Sequence, residues 1–251
     1  MKDVFVVNKK EGETPLESLE SFRVKKKIGT NVPMTYAGRL DPMAEGVLVL
    51  LSGEECKQKE RYLKLDKEYE FTVLFGFATD TYDILGKVQH SYILENVDIS
   101  EMEKHIKKNL KYFKGKIMQK YPMYSSKTVA GKHLHEYARA GEEVESPEQK
   151  VEVKSLKYLK LKKINSQKLL QNIEGRIALV NGYFRQSEII KIWRKTLKNP
   201  SSYFVADFRA RVSSGTYTRA IANDLGIRIG TPALALKINR TKVGNFAKIL
   251  R

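Results

Sequence analysis

Apolar and polar positions recur along this chain at two periods, and the switch between them marks its elements. Tyr69, Phe71, Val73 and Phe75 alternate with Glu68, Glu70 and Thr72, which predicts a half-buried strand over 68–75. Phe204, Ala206, Phe208, Ala210 and Val212 alternate with Val205, Asp207, Arg209 and Arg211, a strand with a basic outer row that Ser213-Ser214-Gly215 breaks. Val47 to Leu51 is continuously apolar and reads as a buried strand. Shorter strands are expected at 4–7, 116–118, 151–161 and 243–246. Helical spacing appears first at Leu16, Leu19 and Phe22, behind Thr14-Pro15-Leu16-Glu17, which combines an N-cap, a first-turn proline and an acid for a capping box. A second such start, Ser100 to Glu103, predicts a helix to about Leu110. Further helices are expected at 54–63, at 133–140 with Gly141 as its stop, at 187–197 around Trp193, and at 216–225 with Gly226 as its stop. Pro232 is expected to start one more short helix. No steady βαβ rhythm runs through this order. The expected fold class is therefore α+β, with a mixed, mostly antiparallel central sheet flanked by helices and loops.

Composition narrows the function. The 251 residues hold 46 Lys plus Arg against 29 Asp plus Glu, a formal net charge of +17. A compact fold with that excess repels itself, so a polyanion, nucleic acid first, is a natural partner. Lysine also serves solubility, so charge alone names no reaction. The hydrophobic fraction of 41% excludes a disordered chain. The run Val47–Leu51 is far short of a bilayer span, and no signal-peptide pattern follows Met1. The single cysteine, Cys56, makes no internal disulfide, and no Cys/His cluster fits a structural zinc. A soluble protein of a reducing, cytoplasmic compartment is expected.

Three segments carry candidate chemistry. In Tyr36-Ala37-Gly38-Arg39-Leu40-Asp41-Pro42, the proline biases Asp41 into an extended or turn conformation that can present its carboxylate; an ordinary Asp-Pro turn is the alternative. In the second segment, Tyr69 shares a strand face with Phe71, and Thr79-Asp80-Thr81-Tyr82-Asp83 follows; the acid spacing and closing Glu of a calcium loop are missing. The third, Arg211 to Arg219, turns through Gly215 into a helix whose first amides could take an anion, with Arg219 near the first turn. No Walker A loop, G-x-G-x-x-G, G-x-S-x-G or H-E-x-x-H pattern occurs. His133 and His135 are two apart, which on a helix places them on different faces.

Taken in order, these segments resemble the TruB family of tRNA pseudouridine synthases. The resemblance rests on Gly38-Arg39-Leu40-Asp41-Pro42, Lys67-Glu68-Tyr69, the Gly-x-x-Thr-Asp-Thr-x-Asp-x-x-Gly block Gly76–Gly86, and Tyr124-Ser125-Ser126. Ala138-Arg139-Ala140-Gly141, the block Ser213–Gly226 and the tail Arg240–Phe246 complete it. Each motif is weak, their ordered set is specific, and it covers nearly the whole chain. The resemblance implies a pseudouridine-synthase-like fold and isomerisation of a uridine to pseudouridine, most simply uridine 55 in the T loop of tRNA. It implies Asp41 as nucleophile, Tyr69 stacking on the flipped base, and Arg219 pairing with Asp41. The reaction has no net redox change and no group donor, so neither cofactor nor metal is expected. Ribosomal or messenger RNA as substrate, or a non-catalytic RNA-binding or RNA-folding protein on the same scaffold, are the alternatives.

The chain departs from the family at several positions. Tyr36 stands where the bacterial pattern often has a histidine, and is expected to stack in the space the base vacates. Arg39 is more reminiscent of synthases acting on ribosomal RNA. The usual Lys-Pro is here Lys9-Lys10, and the segment 162–202 looks longer than the family's. The small C-terminal PUA-like RNA-binding domain of many members has no counterpart before Arg251, so one catalytic domain, 1–251, is expected to bind RNA as a monomer. Besides Tyr36 and Arg39, the expected RNA contacts are Lys25, Lys26, Lys27, Lys127, Lys132, Arg139 and Arg211.

Overall fold

A computed structural model describes residues 2–247. The first strand, β1 (Lys2–Lys9), leads into helix α1 (Pro15–Lys26), followed by β2 (Met34–Ala37), β3 (Ala44–Gly53), α2 (Lys59–Leu63) and β4 (Lys67–Phe75). Short strands β5 (Phe77–Thr79) and β6 (Val88–Ser91) precede α3 (Ile99–Asn109), β7 (Gly115–Lys120), the small pair β8 (Thr128–Val129) and β9 (Lys132–His133), and α4 (Leu134–Ala140). The long strand β10 (Glu148–Asn165) then runs into α5 (Ser166–Ile177) and α6 (Gln186–Thr196). The chain continues through β11 (Ser202–Val212), α7 (Thr218–Ile229), β12 (Ala233–Val243) and β13 (Phe246–Ala247).

The main sheet has the order β1-β3-β12-β4-β11-β10-β7, with β2 on β3 and β13 on β12. Only β12 and β3 pair in parallel; the other pairings in this sheet are antiparallel. The mixed, mostly antiparallel α+β architecture expected from the sequence is the one observed. Tyr69, Phe71, Val73 and Phe75 face one core with Phe204, Phe208 and Ile221. A second core on the other face gathers Phe77, Ile84 and the α5 and α6 residues Ile173, Ile189 and Trp193, whose indole donates to the Ile84 carbonyl at 3.1 Å.

At Thr14 the side chain accepts from the Glu17 amide at 3.2 Å and the Glu17 carboxylate accepts from the Thr14 amide at 2.6 Å. Loss of such a cap costs about 1 kcal/mol. Leu19 is buried as expected, but Leu16 is 57% exposed, because the first turn of α1 overhangs a cleft instead of the core. The helix expected from Ser100 is capped two residues earlier, by Asp98, whose carboxylate accepts from the Glu101 amide at 2.7 Å.

Two expectations near the C-terminal end fail for one reason. The short helix after Pro232 is instead β12, the strand paired with both β3 and β4. Ala233-Leu234-Ala235-Leu236 is buried throughout, so the alternation that marks a strand is absent and pairing on two sides overrides helix propensity. Gly226 does not stop α7, which continues to Gly230. A Cβ at Gly226 would lie 2.6 Å from that of Ala233, so the glycine lets the helix approach this strand. Likewise 54–63 is not one helix: a 3₁₀ turn, Glu54–Gln58, precedes α2.

Candidate active site

The loop between β2 and β3 carries Asp41 just ahead of β3, whose first residue Ala44 pairs with Ile238 of β12. Its turn is closed by the Ala44 amide donating to the Asp41 carbonyl at 3.0 Å. Two buried cations hold the rest. Arg240 of β12 donates to the carbonyls of Val47 at 2.8 Å, Arg39 at 3.0 Å and Gly38 at 3.2 Å. The Lys9 ammonium donates to the carbonyls of Ala44 at 2.6 Å, Lys10 at 2.9 Å and Pro42 at 3.4 Å. Burial pushes Lys9 down to about 8, against the pull of the Asp41 carboxylate. A third cation, Lys67 at the start of β4, is pushed to about 8 by burial and by the Arg240 charge. Gly46 makes the close packing possible, since a Cβ there would meet the Arg240 carbonyl oxygen at 2.2 Å.

Arg219, in the first turn of α7, reaches the same place from the opposite side. Its side chain is 3% exposed, and its Nε donates to Asp41 Oδ2 at 2.7 Å. One terminal nitrogen donates to the Thr81 carbonyl, the other to the Tyr124 carbonyl at 3.3 Å. Asp83 Oδ2 lies 3.8 Å from its Nε. Burial works against the Arg219 charge, but the Asp41 and Asp83 carboxylates outweigh it and raise its pKa. Asp83 is buried and pushed up to about 6 by desolvation, although Arg219 draws it down and its carboxylate accepts from Thr81 Oγ1 at 2.7 Å and the Leu85 amide at 2.9 Å. Asp41, by contrast, remains 37% exposed. One guanidinium thus joins a buried carboxylate to one open to the cleft.

The cleft above Asp41 has a volume of about 1280 Å³. Tyr69, Tyr124 and Tyr217 line it beside Asp41 and Arg219. Burial, and then the Asp41 carboxylate, raise the Tyr217 phenol. Gln119 of β7 fixes the Tyr217 backbone, its amide oxygen accepting from Tyr217 N at 2.9 Å and its NH₂ donating to Tyr217 O at 3.1 Å. The Tyr217 amide, at the N-cap of α7, is thereby occupied by the protein.

Asp41, Tyr69, Arg219, Tyr36, Arg39 and Arg139 all line this cleft. Tyr36 lies half-buried on β2, with the Lys59 ammonium 5.5 Å from its ring centre. The other expected RNA contacts lie outside the lining. Lys25, Lys26 and Lys27 are exposed at the end of α1. Lys127 sits 5.3 Å over the Tyr121 ring. Lys132 pairs with Glu142 at 2.7 Å, and Arg211 reaches Asp66 at 3.4 Å beside a second, smaller hollow of about 410 Å³. His133 and His135 do not diverge: His133 precedes α4 in extended conformation, and the two rings stack with centres 5.3 Å apart.

Asp83, Arg240, Lys9 and Lys67 were not singled out in the sequence as site residues. Asp83, Arg240 and Lys67 stand inside the family-like motifs, a signal present in the sequence. Lys9 and Lys67 bond only to backbone carbonyls, partners that leave no trace in residue type. Among the described residues no group of His, Cys, Asp and Glu is arranged to hold a metal ion, and no helix is long and apolar enough to cross a membrane.

Residues 25–184 match the TruB family pseudouridylate synthase (N terminal domain). The chain is 32% identical over 250 residues to tRNA pseudouridine synthase B of Lactobacillus acidophilus, covering 98% of this chain and 70% of that protein. It is 32% identical to the namesake of Caldicellulosiruptor saccharolyticus (98% and 69%) and 30% identical to that of Aquifex aeolicus (98% and 70%). In fold it is similar to a chain of a Cbf5-Nop10-Gar1 complex, with a TM-score of 0.56 at 17% identity. That match covers 97% of this chain and 49% of the other, so the chain spans about half the length of the solved protein.

Proposed function

The chain belongs to the TruB family of pseudouridylate synthases, and from that premise we propose that it converts a uridine of tRNA, uridine 55 of the T loop, to pseudouridine. The observation that carries the site assignment is the 2.7 Å contact between Arg219 Nε and a half-exposed Asp41 at the floor of the cleft. In this reading Asp41 is the nucleophile. Arg219 holds the carboxylate aimed into the cleft, since a planar, fixed guanidinium sets the direction of its partner. The flipped base enters the cleft and stacks on Tyr69, and Tyr36 fills the space it leaves. The glycosidic C–N bond breaks, the base turns, and a C–C bond forms to the same sugar carbon. The proton on the newly bonded ring carbon leaves and the freed ring nitrogen gains one, so atoms and electrons balance without a donor or oxidant. Arg39 and Arg139, on the lining, contact phosphates. The enzyme is read as a cytoplasmic monomer.

The test is to incubate the protein with unmodified tRNA and ribosomal RNA and to map pseudouridine by site. Product at one T-loop uridine, lost in Asp41→Asn, is expected. Product in ribosomal RNA alone overturns the tRNA assignment, and undiminished product with Asp41→Asn overturns the nucleophile.

A further inference from the structure

The loop between α5 and α6 lies within 162–202, the stretch that looks longer than the family's, and it forms one wall of the cleft through Tyr183, Phe184 and Arg185. It is tied down on both sides of Tyr183. The Gln186 side chain accepts from the Phe184 amide at 2.8 Å and donates to the carbonyls of Val180 at 3.1 Å and Gly182 at 2.7 Å. Gly182 and Arg185 both take left-handed backbone conformations, with φ of 80° and 62°. Val180 and Phe184 turn inward onto the core of α5 and α6. Arg185 pairs with Asp80 at 2.7 Å and lies 4.5 Å over the Tyr124 ring. The carbonyl of that same Tyr124 accepts from Arg219. This tied loop, itself part of the wall of the cleft over Asp41, therefore presents Tyr183 with 87% of its surface exposed.

A tyrosine this open, between two residues fixed into the protein, leaves its ring to the solvent. An aromatic face beside a cleft in a protein of net charge +17 suits one ligand above others: an unpaired nucleobase, whose π-face stacks on tyrosine while its phosphates meet the basic surroundings. We propose that Tyr183 is an RNA-stacking residue that takes an unpaired base next to the flipped uridine, and so contributes to selection of the RNA loop presented to Asp41. The proposal deepens the reading above and rests on it for the identity of the RNA.

The test uses the full chain and a stem-loop RNA with the target uridine in its loop. Affinity is measured by fluorescence anisotropy, and pseudouridine formation in single turnover, for the wild type, Tyr183→Ala and Tyr183→Phe. Loss of one stacked base weakens binding by about 10-fold. Tyr183→Ala is expected to show that loss in affinity and a matching fall in kcat/KM, and Tyr183→Phe to bind like the wild type. Replacing the loop nucleotides one at a time by abasic sites should find one position where the base no longer matters to Tyr183→Ala. Equal binding by the alanine variant and the wild type overturns the proposal, as does equal weakening by alanine and phenylalanine or additivity at every abasic position. A wild type that binds the RNA but forms no pseudouridine overturns the functional reading instead, and leaves the stacking comparison readable.

Discussion

Arg219 and Arg240 line the same cleft, both buried to within a few per cent, yet they are held by different kinds of partner. Arg219 meets two carboxylates, Asp41 and Asp83, besides two carbonyls. Arg240 meets three backbone carbonyls and no carboxylate. The first arrangement fixes the side chain proposed to react. The second fixes the loop that carries it. A buried guanidinium is costly in either setting unless its donors are all used. What differs is where its removal is felt.

The same conservative substitution at both positions separates the roles. Lysine keeps the charge but not the planar fork that reaches several acceptors at once. Arg219→Lys is expected to lower kcat by roughly 10³-fold with RNA affinity within about 3-fold, because the interaction lost belongs to the chemical step. Arg240→Lys is expected to lower unfolding stability by roughly 2–4 kcal/mol, as buried carbonyls of the Asp41 loop lose donors. Its kcat at low temperature should fall less than about 10-fold. Urea melts and single-turnover rates on both variants decide the matter. A kcat loss in Arg240→Lys as large as in Arg219→Lys, without loss of stability, would erase the distinction.

Asp83 sharpens the comparison from the acid side. Its folded pKa of about 6 lies above the ordinary 3.8. Between those values the folded state holds a proton that the unfolded state has released. The contribution to stability is therefore greatest below about pH 4, declines as pH rises to about 6, and stays lost at neutral pH, a penalty of the order of 3 kcal/mol. Asp83→Asn keeps an oxygen for the Leu85 amide and removes the charge. The difference in stability between the wild type and this variant should widen in the variant's favour from pH 4 to pH 6. Its kcat should fall about 10-fold, since Arg219 then keeps one carboxylate, Asp41, beside the Thr81 and Tyr124 carbonyls. A difference that stays flat across that range would mean Asp83 is not the buried titrating partner.

How much of this was legible in the chain follows from where each signal lies. The strands β4 and β11 were readable because over 68–72 and 207–211 one face is buried and the other more open, so residue type alternates there. Strand β12 was not, because pairing on both edges and burial on both faces erase the alternation in Ala233–Leu236. Helix α5 does carry a signal, Leu169, Ile173 and Ile177 four apart, in the same stretch as the helix around Trp193. Asp41 and Arg219 stood in recognisable motifs, and the fold closes the 178 positions between them. Arg240 stood in a motif too, but its partners are carbonyls about 200 positions away, and a carbonyl belongs to every residue. Tertiary partners of that kind leave nothing in the sequence to find.

The smallest effect is expected where the cations lie away from the cleft. Lys25, Lys26 and Lys27 were expected to contact phosphate, but they crowd the C-terminal end of α1, where positive charge complements the helix dipole. Arg39 and Arg139 instead face the space an RNA loop would fill. Each phosphate contact adds roughly 0.7–0.9 to the slope of log affinity against log salt. Replacing all three lysines by alanine is expected to change that slope by less than about 1 and leave kcat unaltered, whereas Arg139→Ala alone should reduce it by nearly a full contact. A fall of about 2–3 for the triple variant would show that the RNA runs over α1 as well. The division between cations that act in the cleft and cations that only charge the surface would then have to be redrawn, and with it the part of the +17 that the bound RNA uses.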